Sequence, residues 1–226
     1  MENHLRYALY FAPRSGAFRS TAESWLGRDA LTGQPLTQPD LGLDAEAITR
    51  EPRRYGLHAT LKPPFRLAEG RSLDRLIAEI SDFAAEAAPI PLEGLMLRRI
   101  GNFVALVPQR ESRALGVFAA RVVQRFDRFR APLNEAEIAR RKPERLTPRQ
   151  RALLELCGYP YVMEEFRFHM TLTDSLDPET AAHAETALQA HFAPHLSQPI
   201  EIEDLCLFGQ TADGSFRELH RIPLKG

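Results

Sequence analysis

The chain has 226 residues, 44% of them hydrophobic and 26% charged, with a formal net charge of -1. That length and balance fit a soluble globular protein with a sizeable core, and near-neutrality gives no global pull toward nucleic acid or a membrane surface. The two cysteines, Cys157 and Cys206, sit in apolar stretches without CxxC or Cys/His ligand spacing, which argues against a disulfide scaffold or a zinc module and for a reducing, cytoplasmic setting.

The opening "MENHLRYALYFAPRSG" is too charged and too short in apolar run for a signal peptide, and nothing approaches a membrane span. Residues 4–13 read as a strand ending at Pro13, and 16–27 as a short helix closed by Gly27. Residues 28–55, rich in Gly, Pro, Asp and Gln, read as a long loop with a helical turn near 44–50. After a strand around "HATL" comes an amphipathic helix over 72–88, with Ser72 as its cap. Residues 89–108 read as two strands joined near Gly101-Asn102, and 113–129 as helix.

Residues 130–162 look like an insertion, a candidate lid. Thr147, Pro148 and Gln150 form a helix start with a capping box, and Gly158 suits its end. From Arg121 to Arg151 there are ten basic and four acidic residues, readable as a solvated face or as an anion-attracting rim. Next come a strand over "FRFHMTL", a helix opened by Asp177-Pro178, and two last strands about Asp213-Gly214, a hairpin signal. His191 and His195 stand four apart, but Pro194 between them argues against one continuous helix, and no carboxylate completes a metal set.

The halves repeat. "HATL", helix, "PIPLEGLML" corresponds to "HMTL", helix, "PIEIEDLCL", with His-to-Pro intervals of 31 and 30 positions. The expected organisation is one two-lobed domain with pseudo-two-fold halves, about 1–100 and 101–226. One His-x-Thr is weak, since roughly a third of one is expected by chance at this composition. Two at equivalent repeat positions, each followed by Leu, are a strong signal. In a strand, residues two apart share a face, so His58, Thr60 and Lys62 are predicted on one side of the first strand, and Arg167, His169 and Thr171 on one side of the second. The other sides are apolar: Leu57, Ala59, Leu61; Phe168, Met170, Leu172.

"HATL" and "HMTL" resemble the paired motifs of the 2H phosphoesterases. "RRYGLHATLKPPF", "RRKPERLTPRQRALLELCGYPYV" and "EEFRFHMTLT" resemble a bacterial branch of that superfamily described as a phosphonate metabolism protein. The resemblance covers essentially the whole chain. It implies an α+β, duplicated, LigT-like fold, with two antiparallel sheets flanked by helices around a central cleft, and hydrolysis of a cyclic phosphate or a 2′,5′ phosphodiester. It also implies His169 as the water-activating base and His58 as the acid.

The chemistry fits. Two imidazoles with ordinary pKa near 6.5 can divide base and acid work at neutral pH. Thr60 and Thr171 can donate to non-bridging oxygens, and Lys62 and Arg167 can offset the growing charge, although both cations read equally as solvated strand-edge residues. Tyr7 and Tyr10 either line the cleft, stacking on substrate, or pack in the core. Tyr159 and Tyr161 are candidates to reach the site from the insertion. No metal or cofactor is expected. The expected partner is a small phosphorylated substrate, such as a ribose cyclic phosphate of phosphonate breakdown; RNA ends are a weaker alternative and a non-catalytic metabolite sensor a third. No membrane partner is expected, and a monomer is favoured.

Overall fold

The computed structural model describes residues 4–226. Strand β1 (Tyr7–Phe11) leads to α1 (Ala17–Leu26), which stops at Gly27 in the left-handed region (φ 75°). The Gly/Pro-rich stretch holds two short helices, α2 (Ala45–Ile48), capped by Asp44, and α3 (Arg50–Tyr55). The first motif lies at the start of β2 (Ala59–Phe65). Helix α4 (Leu73–Ala85) begins at Ser72, whose side chain accepts from the Arg75 amide. Residues 89–108 form three strands where the sequence suggests two: β3 (Ile90–Leu92), β4 (Leu95–Ile100) and β5 (Phe103–Pro108). The extra break falls at Gly94, where an added Cβ would lie 2.8 Å from the Leu196 carbonyl oxygen.

Helix α5 (Arg113–Phe126) runs into a 3-10 turn at Asp127–Phe129. The 130–162 segment holds α6 (Glu135–Arg140) and α7 (Pro148–Cys157), the latter with its Thr147/Gln150 capping box and left-handed Gly158. The second motif forms a two-residue strand, β6 (Met170–Thr171), followed by α8 (Pro178–Leu196), β7 (Ile200–Ile202), β8 (Asp204–Gln210) and β9 (Phe216–Pro223). Contrary to expectation, α8 runs unbroken through Pro194. The missing N–H falls in the last turn, where it frees a single carbonyl. Among the described residues no helix is long and apolar enough to cross a membrane.

The fold is α+β with two antiparallel sheets of unequal size. The larger has the order β4-β5-β6-β2-β1-β8-β9, and β3 pairs with β7 in the smaller. One face of the large sheet carries Leu9, Phe11, Ala59, Leu61, Leu106, Met170 and Leu172, buried under side chains of α1, α4, α5 and α8. Period-2 alternation therefore gives this face to the core and leaves the histidines on the other.

The alternation fails after Thr60, and a second register shift follows between Leu9 and Tyr7. Tyr10 pairs with Thr60 but Leu9 pairs with Lys62, so two residues of β2, Leu61 and Lys62, oppose one of β1. Such a bulge re-aims the side chain beyond it. Lys62 accordingly leaves the histidine face and turns under α5. It is 1% exposed, with Nζ 3.1 Å from Asp127 Oδ1 and 3.5 Å from the Val123 carbonyl. Burial lowers its pKa, and the Asp127 carboxylate opposes that shift. Arg130 shares the same carboxylate at 2.8 Å. The expected phosphate ligand Lys62 is thus a buried structural cation. Tyr7, paired with Phe65, likewise faces the helices and belongs to the core, not to the cleft.

Removing one partner of a buried pair leaves the other uncompensated. Arg130 would still hold Asp127 if Lys62 were lost, so the informative change is Asp127→Ala, which leaves the buried Lys62 ammonium without its carboxylate and is expected to cost roughly 3 kcal/mol in urea unfolding; a loss under about 1 kcal/mol would contradict this placement.

Candidate active site

The pairing that assembles the site is Ala59 with Met170 across β2 and β6. In an antiparallel ladder this sets Thr60 opposite His169 and His58 opposite Thr171, side chains of each pair on the same face with Cβ atoms about 5 Å apart. The motifs thus form a four-cornered array in which each imidazole faces the other repeat's hydroxyl. Flanking strands extend the symmetry: Tyr10 pairs with Thr60, and Ala105 pairs with Thr171.

Both imidazoles are fixed in the same way. His58 Nδ1 lies 2.9 Å from the Gly56 carbonyl oxygen, and His169 Nδ1 lies 2.8 Å from that of Arg167. A carbonyl can only accept, so each Nδ1 carries the proton and each neutral ring keeps its Nε2 lone pair free for chemistry. Gly56 is required for the first of these bonds. It adopts φ 74°, and a Cβ there would meet the Ala30 Cβ at 2.5 Å.

The second motif has no long ladder of its own and is held by its neighbours. Trp25 Nε1 donates to the Leu172 carbonyl at 2.8 Å, and the Thr173 hydroxyl accepts from the Val104 amide at 2.9 Å. The Asp174 amide donates to the Ile48 carbonyl at 2.7 Å, and the Asp174 carboxylate accepts from the Glu51 amide at 2.8 Å. These last bonds tie the end of one motif to the helices leading into the other. Thr173 is spent on structure, whereas the half-buried Thr60 and Thr171 hydroxyls bond to no protein group among the described residues.

The two histidines differ in enclosure. The Tyr10 ring lies 4.1 Å from that of His58, centroid to centroid, and Tyr55 lies 5.5 Å away, stacked at 4.9 Å on Phe216. His169 has Phe103 at 5.8 Å, and Ala105 stands where its repeat counterpart is Tyr10. Burial pushes the His58 pKa down to about 4, with the Gly56 bond opposing and His169 adding a little. Burial also raises the Tyr10 phenol well above its ordinary value; Tyr55 and Tyr159 reinforce this, while Arg6 and Arg141 act against it.

Tyr10 therefore lines the site, as one of its two sequence readings has it. Tyr55 and Arg6 are neighbours the sequence alone does not single out, although Tyr55 stands three residues before His58; Arg141 belongs to the basic segment readable as an anion-attracting rim. From the insertion, Tyr159 packs under Arg141, whose guanidinium lies 4.7 Å from its ring centroid, while Tyr161 is 49% exposed. Arg167 turns its guanidinium back to the Glu164 and Phe166 carbonyls at 3.0 and 2.8 Å and lines a neighbouring cleft. Among the described residues no three His, Cys, Asp or Glu side chains gather as a metal site.

A family model described as "Protein of unknown function (DUF1045)" matches residues 60–217. Two curated relatives bear the name ribose 1,5-bisphosphate phosphokinase PhnN. The one from Janthinobacterium sp. (strain Marseille) is 38% identical over 100% of this chain and 52% of its own length. The one from Laribacter hongkongensis is 34% identical over 96% of this chain and 51% of its own. The chain spans about half the length of these relatives. Among solved structures, E. coli LigT complexed with 3′-AMP is similar at 14% identity and a TM-score of 0.48, covering 99% of this chain and 100% of that one. Kluyveromyces marxianus Usb1 is similar at 10% identity and a TM-score of 0.43, covering 98% and 99%.

The folded chain holds His58 neutral down to about pH 4, while an unfolded histidine protonates near 6.5. As pH falls through that window the unfolded state takes up the proton first, so stability is lost between 6.5 and 4. NMR titration is expected to find the His58 midpoint well below 6 and to see it rise in Tyr10→Ala; an ordinary midpoint unmoved by that substitution would contradict the enclosure.

Proposed function

The chain belongs to the DUF1045 family, and we propose that its two-histidine site is that of a 2H-type phosphodiesterase opening a small cyclic phosphate by general acid–base catalysis. The observation that carries this reading is the crossed array of His58 with Thr171 and His169 with Thr60, each imidazole fixed at Nδ1 by a carbonyl. Water attacks phosphorus as one Nε2 takes its proton. The opposite P–O bond breaks as the other Nε2–H protonates the departing oxygen. The Thr60 and Thr171 hydroxyls donate to the non-bridging oxygens, where negative charge builds. Proton exchange with solvent resets both rings.

Enclosure divides the roles. A base must be neutral, and burial keeps His58 so in the unliganded protein; the acid's part then falls to His169. This reverses the assignment implied by the 2H resemblance. Residues 130–162 are anchored beside β2 and α5. Arg66 on the flank of β2 grips Glu137 of α6 through two bonds of 3.0 and 3.1 Å, and Val123 of α5 packs with Leu153, Cys157 and Val162.

The relatives' name supplies the finer reading. Where a ribose 1,5-bisphosphate kinase is about twice as long as this chain and matches it over half its length, an activity that generates ribose 1,5-bisphosphate is a natural companion. The substrate is then ribose 1,2-cyclic phosphate 5-phosphate. Water cleaves its P–O2 bond, leaving the phosphate on O1.

Purified protein, given that compound and a panel of 2′,3′-cyclic nucleotides in EDTA, is expected to turn over at least one. His58→Ala and His169→Ala should each lower kcat by roughly 10²–10⁴-fold; a near-normal rate in either would contradict the mechanism. With a cyclic diester carrying no second titrating phosphate, the acidic limb of kcat/KM should lie well below pH 6.5 and move up in Tyr10→Ala. A limb at or above 6.5, unmoved by that change, would return the base to His169.

A further inference from the structure

Beside the His169 half of the site lies a cleft of about 730 Å³, bounded by the end of β4, the turn after β5, the first turn of α5 and residues 166–168. Five arginines line it, Arg98, Arg99, Arg110, Arg113 and Arg167, against one carboxylate, Glu111. We propose that this cleft holds a phosphate monoester of the substrate, remote from the cyclic phosphate. The proposal rests on the cyclic phosphodiesterase reading above and says where the substrate's second phosphate goes.

Three observations carry it. The first is uncompensated charge in a chain of net charge -1. Arg110 is paired with Glu93 at 3.2 Å, both well exposed, and Arg99 stands 3.9 Å from Glu185. None of the ion pairs among the described residues involves Arg98, Arg113 or Arg167, and Arg167 bonds only to carbonyls. Like charges gathered without counter-charge repel one another unless an anion joins them.

The second is the position of Arg113. It opens the fourteen-residue helix α5, where the macrodipole favours an acid, and the first turn contains none. Ser112 caps the Leu115 amide, so an arginine there is misplaced for helix stability but well placed for a phosphate at the helix start.

The third is register. Arg98 pairs with Ala105, and Ala105 pairs with Thr171. Arg98 thus shares the row and face of the catalytic threonine, two strands away or about 10 Å, a separation that a pentose and an arginine side chain span. Arg167 joins the cleft to the site directly, since its carbonyl fixes His169. A dianionic monoester accepts forked guanidinium bonds from several arginines at once, which a diester backbone does less well.

The test compares ribose 1,2-cyclic phosphate 5-phosphate with ribose 1,2-cyclic phosphate in the wild type, Arg98→Ala and Arg113→Ala. The wild type should favour the 5-phosphorylated compound at least tenfold in kcat/KM. Each substitution should cut that preference at least tenfold, through KM. Turnover with no preference, or a preference the substitutions leave intact, overturns the cleft assignment while the ring-opening chemistry stands. A preference that instead grows with the length of an RNA bearing a 2′,3′-cyclic end also overturns it. If the wild type opens neither compound, the ribose cyclic phosphate reading falls, and the phosphodiesterase reading falls with it only if the 2′,3′-cyclic nucleotides are also left intact; binding of ribose 5-phosphate then decides the cleft separately, weakening of tenfold or more in Arg98→Ala supporting it and equal binding overturning it.

Discussion

Everything at this site depends on a short stretch of backbone pairing, Ala59 with Met170. β6 is two residues long, so its place between β2 and β5 comes less from its own ladder than from bonds around it. Trp25 holds Leu172, Val104 holds Thr173, and Ile48 and Glu51 hold Asp174. These contacts fix the register, and a one-residue slip would send His169 and Thr171 to the helix face. Buried polar groups thus do here what strand length does elsewhere: they allow a single arrangement of the two motifs.

Near-symmetry supplies two equivalent imidazoles, and a few side chains make them unequal. Tyr10 on β1 and Ala105 on β5 occupy matching positions beside Thr60 and Thr171. The large ring, backed by Tyr55 and Phe216, takes water away from His58. Desolvation disfavours the charged imidazole and so favours the neutral one. On the proposed mechanism, the difference between a tyrosine and an alanine is what divides base from acid between the two histidines.

The sequence made the motif pair, the repeat and most helix ends legible because each has a local physical signature: period-2 alternation, a serine or threonine cap, a glycine stop. Lys62 shows where that reading fails. The alternation that correctly orients His58 and Thr60 is broken two residues later by a bulge, whose signal is the Pro63-Pro64 pair that follows Lys62: a central strand keeps proline only where its ladder is interrupted. Tyr7 needs no bulge to explain its place: it stands three residues from Tyr10 on β1, and alternation alone gives it the core face of Leu9 and Phe11. Pro194 signals a break by residue type, but its position within the last turn of α8 makes it tolerable. Arg141 and Arg6 approach the site only through tertiary packing, and the arginines of the lateral cleft come from three separate segments. Local pattern cannot bring such groups together; the sheet does.

The most direct test of the central claim is phosphorus NMR of the wild-type protein with ribose 1,2-cyclic phosphate 5-phosphate in ¹⁸O-labelled water and EDTA. The account predicts that the cyclic resonance gives way to a monoester at C1 carrying one ¹⁸O from solvent, with the 5-phosphate unlabelled. A cyclic resonance that only broadens or shifts with added protein, with no monoester formed, would contradict it and make the paired histidines part of a binding site.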